Sequence, residues 1–358
     1  MRILKLTATA LLFCAVATTS CCCNADDDVK NVIVMVGDGM GLTHVTQAMY
    51  LSEDELFINR VDNIALTTTH SASDIVTDSA ASGTAFAIGH KTNNGVLGMD
   101  ANLQPQKSIL EASKESGMTT GLVATYAITH ATPAAYYAHN VTRRDGEGIA
   151  LDMMNDYVDM FIGGGRDHFE KRKDERNLTQ ELAAKGYNVA YTIEEAESAS
   201  TGKLAALLAD NGLAKMIDGR SDMLPRATTA ILNGLKNLGG KDGFFVMIEG
   251  SQIDGLSHDN HAQGTLEETL DFNKAVKIAF DFADENPGTL VLVFADHETG
   301  GLTLPAKGNE TQTRFSTGGH TAAMIPLYAY GAGASSFYGV MDNTEIPKRI
   351  AKLLEIEF

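Results

Sequence analysis

Val32-Ile33-Val34-Met35-Val36-Gly37-Asp38, Phe244-Phe245-Val246-Met247-Ile248-Glu249 and Leu290-Val291-Leu292-Val293-Phe294-Ala295-Asp296-His297 are apolar runs that each end at a carboxylate. Runs this short, rich in β-branched residues and without polar alternation, fit strands buried on both faces of a mostly parallel sheet. Open α/β sheets place their chemistry beyond the carboxyl ends of such strands. The acids are therefore expected to converge, and Asp254 and His258 follow closely after the second run. Two unit charges about 4 Å apart repel by roughly 4 kcal/mol in a partly buried site, so a cluster of acids needs a strong positive counter-charge. His258, His297 and His320 offer neutral nitrogen ligands, and a divalent metal ion meets the requirement most economically.

Outward from these runs, strands are expected at 31–36, 64–69, 119–124, 158–162, 187–191, 244–248, 289–295 and 326–330. Helices are expected between them at 78–88, 105–116, 178–185, 225–238 and 265–284. This alternation predicts an α/β fold with a single doubly wound, mostly parallel central sheet and helices on both faces. The polar stretch 192–224, with Glu194-Glu195 and serine-rich turns, reads as a surface helix pair with solvated charges. A chain of 358 residues with 44% hydrophobic content and no internal repeat suits one large domain.

The formal net charge of -18 argues against general binding to nucleic acid or anionic membranes, since no basic stripe is available to neutralise phosphates. An anionic substrate would need local positive charge from metal ions and one or two arginines. Met1-Arg2-Ile3-Leu4-Lys5 followed by an apolar stretch to Thr19 reads as a signal peptide spanning 1–20. Ser20 before Cys21-Cys22-Cys23 resembles a bacterial lipoprotein cleavage site with Cys21 acylated; an ordinary cleaved signal peptide is the alternative. Export to the periplasm or the outer membrane is expected on the first reading. All four cysteines lie in this segment, so the exported domain, 29–358, has no disulfide and relies on core burial and bound metal. Residues 21–28 read as an acidic tether.

Thr77-Asp78-Ser79-Ala80-Ala81-Ser82-Gly83-Thr84-Ala85 is the second strong signal. Thr, Asp and Ser ahead of small residues make a helix N-terminus, and a plain cap would explain them. A helix N-terminus also presents amides and positive dipole to an anion, which places a serine there well for attack on phosphorus. Its hydroxyl is too weakly acidic to ionise at neutral pH without a metal.

With these residues in place, the chain resembles the alkaline phosphatase family. The likeness is carried by Gly37-Asp38-Gly39-Met40-Gly41, Thr77 to Ala85, Ala131-Thr132-Pro133-Ala134-Ala135 with His139 and Arg143, Glu249 to His258, and Asp296-His297 with Gly318-Gly319-His320-Thr321. The resemblance implies a first zinc held by Asp254, His258 and His320, and a second held by Asp38, Asp296 and His297 that would bind the Ser79 oxygen. It implies a third metal, usually magnesium, shared by Asp38, Thr132 and Glu249. Ser79 would be the nucleophile, Arg143 the phosphate clamp and Asp78 the residue that orients it. The implied reaction is hydrolysis of phosphate monoesters to alcohol and inorganic phosphate through a phosphoserine, with broad specificity. Nucleic acid would enter only through terminal phosphates as substrate.

His130 stands near the third metal, where some members have aspartate and others histidine, so that site could prefer zinc or another transition metal. The interval 298–319 is short where many relatives carry an insertion that forms part of their dimer interface, which leaves homodimer and monomer both open. Two other readings use the same residues. One is a related hydrolase of the superfamily, such as a phosphodiesterase, sulfatase or cofactor-independent phosphoglycerate mutase. The other is a noncatalytic surface lipoprotein that binds phosphate, which predicts the loss of a ligand or of Ser79, and none is missing.

Overall fold

A computed structural model describes residues 28–61, 63–240, 243–308 and 310–358. The signal peptide, Cys21 and nearly all of the tether lie outside the described residues. Among those residues the strands are β1 (Asn31–Gly37), β2 (Asn63–Thr68), β3 (Thr119–Ala127), β4 (Met160–Gly164), β5 (Asn188–Ala190), β6 (Leu204–Leu207), β7 (Phe244–Gly250), β8 (Thr289–Phe294), β9 (Glu298–Thr299), β10 (Ala306–Lys307), β11 (Glu310–Thr311), β12 (His320–Thr321), β13 (Ile325–Gly331) and β14 (Gly339–Asp342). Ten of them form one sheet in the order β14-β2-β13-β8-β1-β7-β3-β4-β6-β5. Only β13 runs against its neighbours, so the sheet is mixed but mostly parallel, as expected.

Every residue of β7 and β8 is buried, and so is β1 apart from the half-buried Asn31. Helices on both faces exclude water from these three central strands, which explains their unbroken apolar composition. Their registers decide where the site lies. Val36 pairs with Phe294 on one side and with Glu249 on the other. Asp38 and Asp296, each two residues beyond those partners, therefore leave the sheet at one level, and Glu249 sits one pleat below them.

The stretch 192–224 differs from expectation. Its first part is a helix, Ile193–Ala199, but Leu204-Ala205-Ala206-Leu207 is a fully buried strand between β4 and β5. Two alanines give little strand propensity, and polar neighbours hide a four-residue run; pairing on both edges supplies what propensity does not. Helices Leu42–Leu51 and Glu345–Leu354 and strand β14 also went unread. No helix among the described residues is long and apolar enough to cross a membrane.

Candidate active site and metal centre

Asp78 caps the helix Ser79–Ile88, its Oδ1 accepting from the Ala81 amide at 3.0 Å, and Ser79 is the first helical residue. The small residues that follow let this helix approach the turn Ala131–Ala134. A Cβ added at Gly83 would lie 3.3 Å from Ala135 Cβ and 3.5 Å from Thr132 Cα. Ser82 Oγ donates to the Asp296 carbonyl at 2.6 Å, which ties the serine helix to the end of β8. Ser79 and the strand-end acids are thereby brought to one place.

Hydrogen bonds fix the tautomers of three histidines. His258 Nδ1 lies 2.7 Å from the Gly318 carbonyl and His320 Nδ1 lies 2.8 Å from the Thr77 carbonyl. A carbonyl only accepts, so each Nδ1 carries a proton and each neutral ring turns a bare Nε2 inward. Those Nε2 atoms stand 3.2 Å apart, with Asp254 carboxylate oxygens 3.3 Å from His258 and 3.6 Å from His320. Thr299 Oγ1 donates its one proton to Asp254 Oδ1 at 2.5 Å, which leaves it to accept from His297 Nδ1 at 3.2 Å. His297 Nε2 then faces Ser79 Oγ at 3.1 Å, Asp296 Oδ2 at 3.1 Å and Asp38 Oδ1 at 3.6 Å.

Lone pairs and carboxylates facing one another need a cation, either a proton or a metal ion. In the metal-free chain, the Asp254 hydrogen bond lifts His258 to about 9. Burial pushes Asp254 upward, but the His258 hydrogen bond and the charges of His297, His258 and His320 outweigh it and hold that carboxyl low. Burial likewise opposes the ionised forms of Asp296 and His297, yet their mutual attraction lowers the acid and raises the imidazole. Asp38 is pushed well above the carboxylate range by burial and then by the charges of Asp296, Asp254 and Glu249.

The donor set fits metal ions. Asp38 Oδ1, Asp296 Oδ2 and Glu249 Oε1 are buried acceptors and have no hydrogen-bond partner among the described residues. Each such atom costs about 1–3 kcal/mol unless something satisfies it. Three groups each bring one donor atom per residue within 4.8 Å: Asp254 with His297 and His320, Asp38 with Asp296 and His297, and Asp38 with His130 and Glu249. His297 thus reaches both of the first two groups, and Thr132 Oγ1 lies 3.4 Å from Asp38 Oδ2 beside the third.

Burial lifts Glu249 to about 7. An acid raised on folding contributes stability below its unfolded value, near 4.5, and that contribution is lost as pH rises through the folded value. The metal-free protein is therefore expected to lose about 3 kcal/mol from this group between pH 4.5 and 7. Thermal melts of the chelated protein across that range should show the loss, and Glu249→Gln should reduce it, the remainder coming from Asp38, which burial also raises. An unchanged slope in the variant would show that Glu249 is not the group titrating.

Arg143 Nη1 donates to Asp78 Oδ2 at 3.0 Å, and Nη2 donates to His130 Nε2 at 3.1 Å. His130 consequently carries its proton on Nδ1 and becomes a metal ligand only when the arginine bond or that proton is given up, and burial followed by the arginine charge lowers its pKa to about 4. His139 stays outside the cluster, against the Gln106 carbonyl and Glu111, and Arg144 is exposed. Thr299 carries no signal in the sequence, because a threonine two residues past His297 has no distinguishing pattern until its partners are seen.

The family model for alkaline phosphatase matches residues 29–313. The chain belongs to the alkaline phosphatase family. It is 33% identical to alkaline phosphatase 3 of Bacillus subtilis over 92% of this chain and 90% of that one. The solved alkaline phosphatase of the Antarctic bacterium TAB5 superposes with a TM-score of 0.88 at 38% identity, covering 91% of this chain and 98% of that one. A histidine-to-aspartate variant of the TAB5 enzyme, solved with magnesium in its M3 site, superposes at 0.87 with 38% identity, covering 92% and 99%. As an alkaline phosphatase, the protein is an enzyme that hydrolyses phosphate monoesters, and the family's use of metal ions agrees with the unpartnered donors described above.

Proposed function

We propose that the protein hydrolyses a broad range of phosphate monoesters through a phosphoserine at Ser79, with two zinc ions and a third metal. The observation that carries this reading is the buried Ser79 hydroxyl, held at a helix N-terminus 3.1 Å from His297 Nε2, with Arg143 donating to Asp78 next to it in the chain. Asp254, His258 and His320 would hold one zinc, and Asp38, Asp296 and His297 the other. Asp38, Thr132 and Glu249 would hold the third ion, magnesium, or a transition metal if His130 takes part. When bound, these ions supply positive charge that favours the ionised serine and stabilises charge developing on the substrate oxygens.

Ser79 Oγ attacks phosphorus in line, the bond from phosphorus to the leaving oxygen breaks, and the alcohol departs with a proton from solvent. Water then attacks the phosphoserine, which releases inorganic phosphate and restores the hydroxyl. The positive end of helix Ser79–Ile88 would favour the anion throughout. Arg143 donates to two nonbridging oxygens, an arrangement that suits a dianionic monoester better than a diester, while Asp78 holds the guanidinium in place. Little is asked of the leaving group, so broad specificity follows.

Comparing aryl phosphate, bis-aryl phosphate and aryl sulfate tests the reading. Monoester kcat/KM should exceed the other two by about 1,000-fold or more. Comparable turnover of the diester or the sulfate would replace it with the related hydrolase. Residues 1–20 would direct export and Cys21 would carry the acyl anchor, placing the catalytic domain, 29–358, in the periplasm or at the outer membrane.

A further inference from the structure

Asn94 and Gly95 form a surface turn, and an Asn-Gly pair by itself is ordinary turn chemistry. Here its hydrogen bonds run to distant parts of the chain. Asn94 Oδ1 accepts from the Asp78 amide at 3.2 Å, and Asn94 Nδ2 donates to the Val76 carbonyl at 3.1 Å. One side chain therefore grips the backbone on both sides of Thr77, just ahead of Ser79. The Gly95 amide donates to both oxygens of the Asp78 carboxylate at 3.1 Å. Its carbonyl accepts from the Arg143 amide at 2.8 Å.

The Asp78 carboxylate thus receives the Ala81 amide, the Gly95 amide and Arg143 Nη1, which nearly fills its accepting capacity. Each of those bonds removes a direction in which the carboxylate could turn. Arg143 is held at two points by the same turn, directly through its backbone and through Asp78 at its guanidinium. Gly95 adopts φ +88°, while a Cβ there would meet nothing within 4 Å, so glycine is required by backbone conformation and not by space.

We propose that the Asn94–Gly95 turn is the positioning element of the phosphate clamp, holding Asp78 and Arg143 at a set distance from the Ser79 helix. The inference rests on the reading of Arg143 as the clamp. Asn94 and Gly95 touch no substrate. They act through Asp78 and Arg143, and loosening them lowers the fraction of enzyme in which the guanidinium already faces the phosphoryl oxygens.

The test is a double-mutant cycle on the metal-loaded enzyme, using an aryl phosphate as substrate and inorganic phosphate as inhibitor. Asn94→Ala, and separately Gly95→Ala, should each lower kcat/KM about 10-fold and weaken phosphate inhibition by a similar factor, with metal content unchanged. In an Arg143→Ala background the same changes should move kcat/KM by less than about 2-fold, because the group they position is gone. Equal losses in both backgrounds, or no loss with Arg143 present, would overturn the proposal and leave an ordinary turn. Arg143→Ala alone separates the two readings: if it leaves kcat/KM and phosphate inhibition unchanged, the clamp assignment itself fails.

Discussion

Ser79→Ala is expected to lower kcat/KM for an aryl phosphate by about four orders of magnitude or more, since the variant has no oxygen with which to form the phosphoserine. The fold should tolerate the change. Asp78, not Ser79, caps the helix, and among the described residues the hydroxyl is hydrogen-bonded to His297 Nε2 alone. Alanine is compatible with the first turn, and the strand-end carboxylates and histidines are untouched. Metal content and thermal midpoint should therefore match the parent, which separates loss of chemistry from loss of structure. Acid quenching with labelled substrate should leave phosphate on the parent and none on the variant. Retained turnover, or label on both, would assign the nucleophile elsewhere.

Exhaustive chelation should abolish turnover and lower the thermal midpoint by roughly 6 °C, about 4 kcal/mol for a site occupied at a thousand times its dissociation constant. The expectation comes from burial. Asp38, Glu249, Asp296 and His297 are shielded from water, so without metal their charges can be relieved only by uptake of protons or by one another. Returning zinc and magnesium should restore both quantities. A chelated enzyme that kept its activity and its midpoint would remove metal ions from the reaction and from the stability of the fold.

The Ser79 change acts on one atom and the chelation on the field around it, so together they separate the proposed nucleophile from the ions proposed to activate it. Deleting the hydroxyl leaves the field intact. Removing the ions would leave the hydroxyl in place beside His297 without the charge proposed to favour its ionised form.

Much of this site was legible in the sequence because its parts end local patterns. A strand buried on both faces has an unbroken apolar run, and the first polar residue after it marks the sheet's edge, which is how Asp38, Glu249 and Asp296 stand out. Asp78 and Ser79 stand out because caps obey a local rule. Asp254 and His258 occupy one short helix, Gln252–His258, where a spacing of four puts both on one face. The helix Glu345–Leu354 could have been found the same way, from Ile346 and Ile350.

The sequence by itself determined the α/β class, the central strands and which acids and histidines gather at their ends, because buried strands and helix starts leave signatures within a few consecutive residues. Only the tertiary structure decided that Leu204–Leu207 is a strand, that Thr299 joins Asp254 to His297, and that Asn94 and Gly95 hold the arginine through Asp78. Those facts depend on partners far away along the chain, and a hydrogen bond's worth is set by what stands opposite the donor, which no local pattern records.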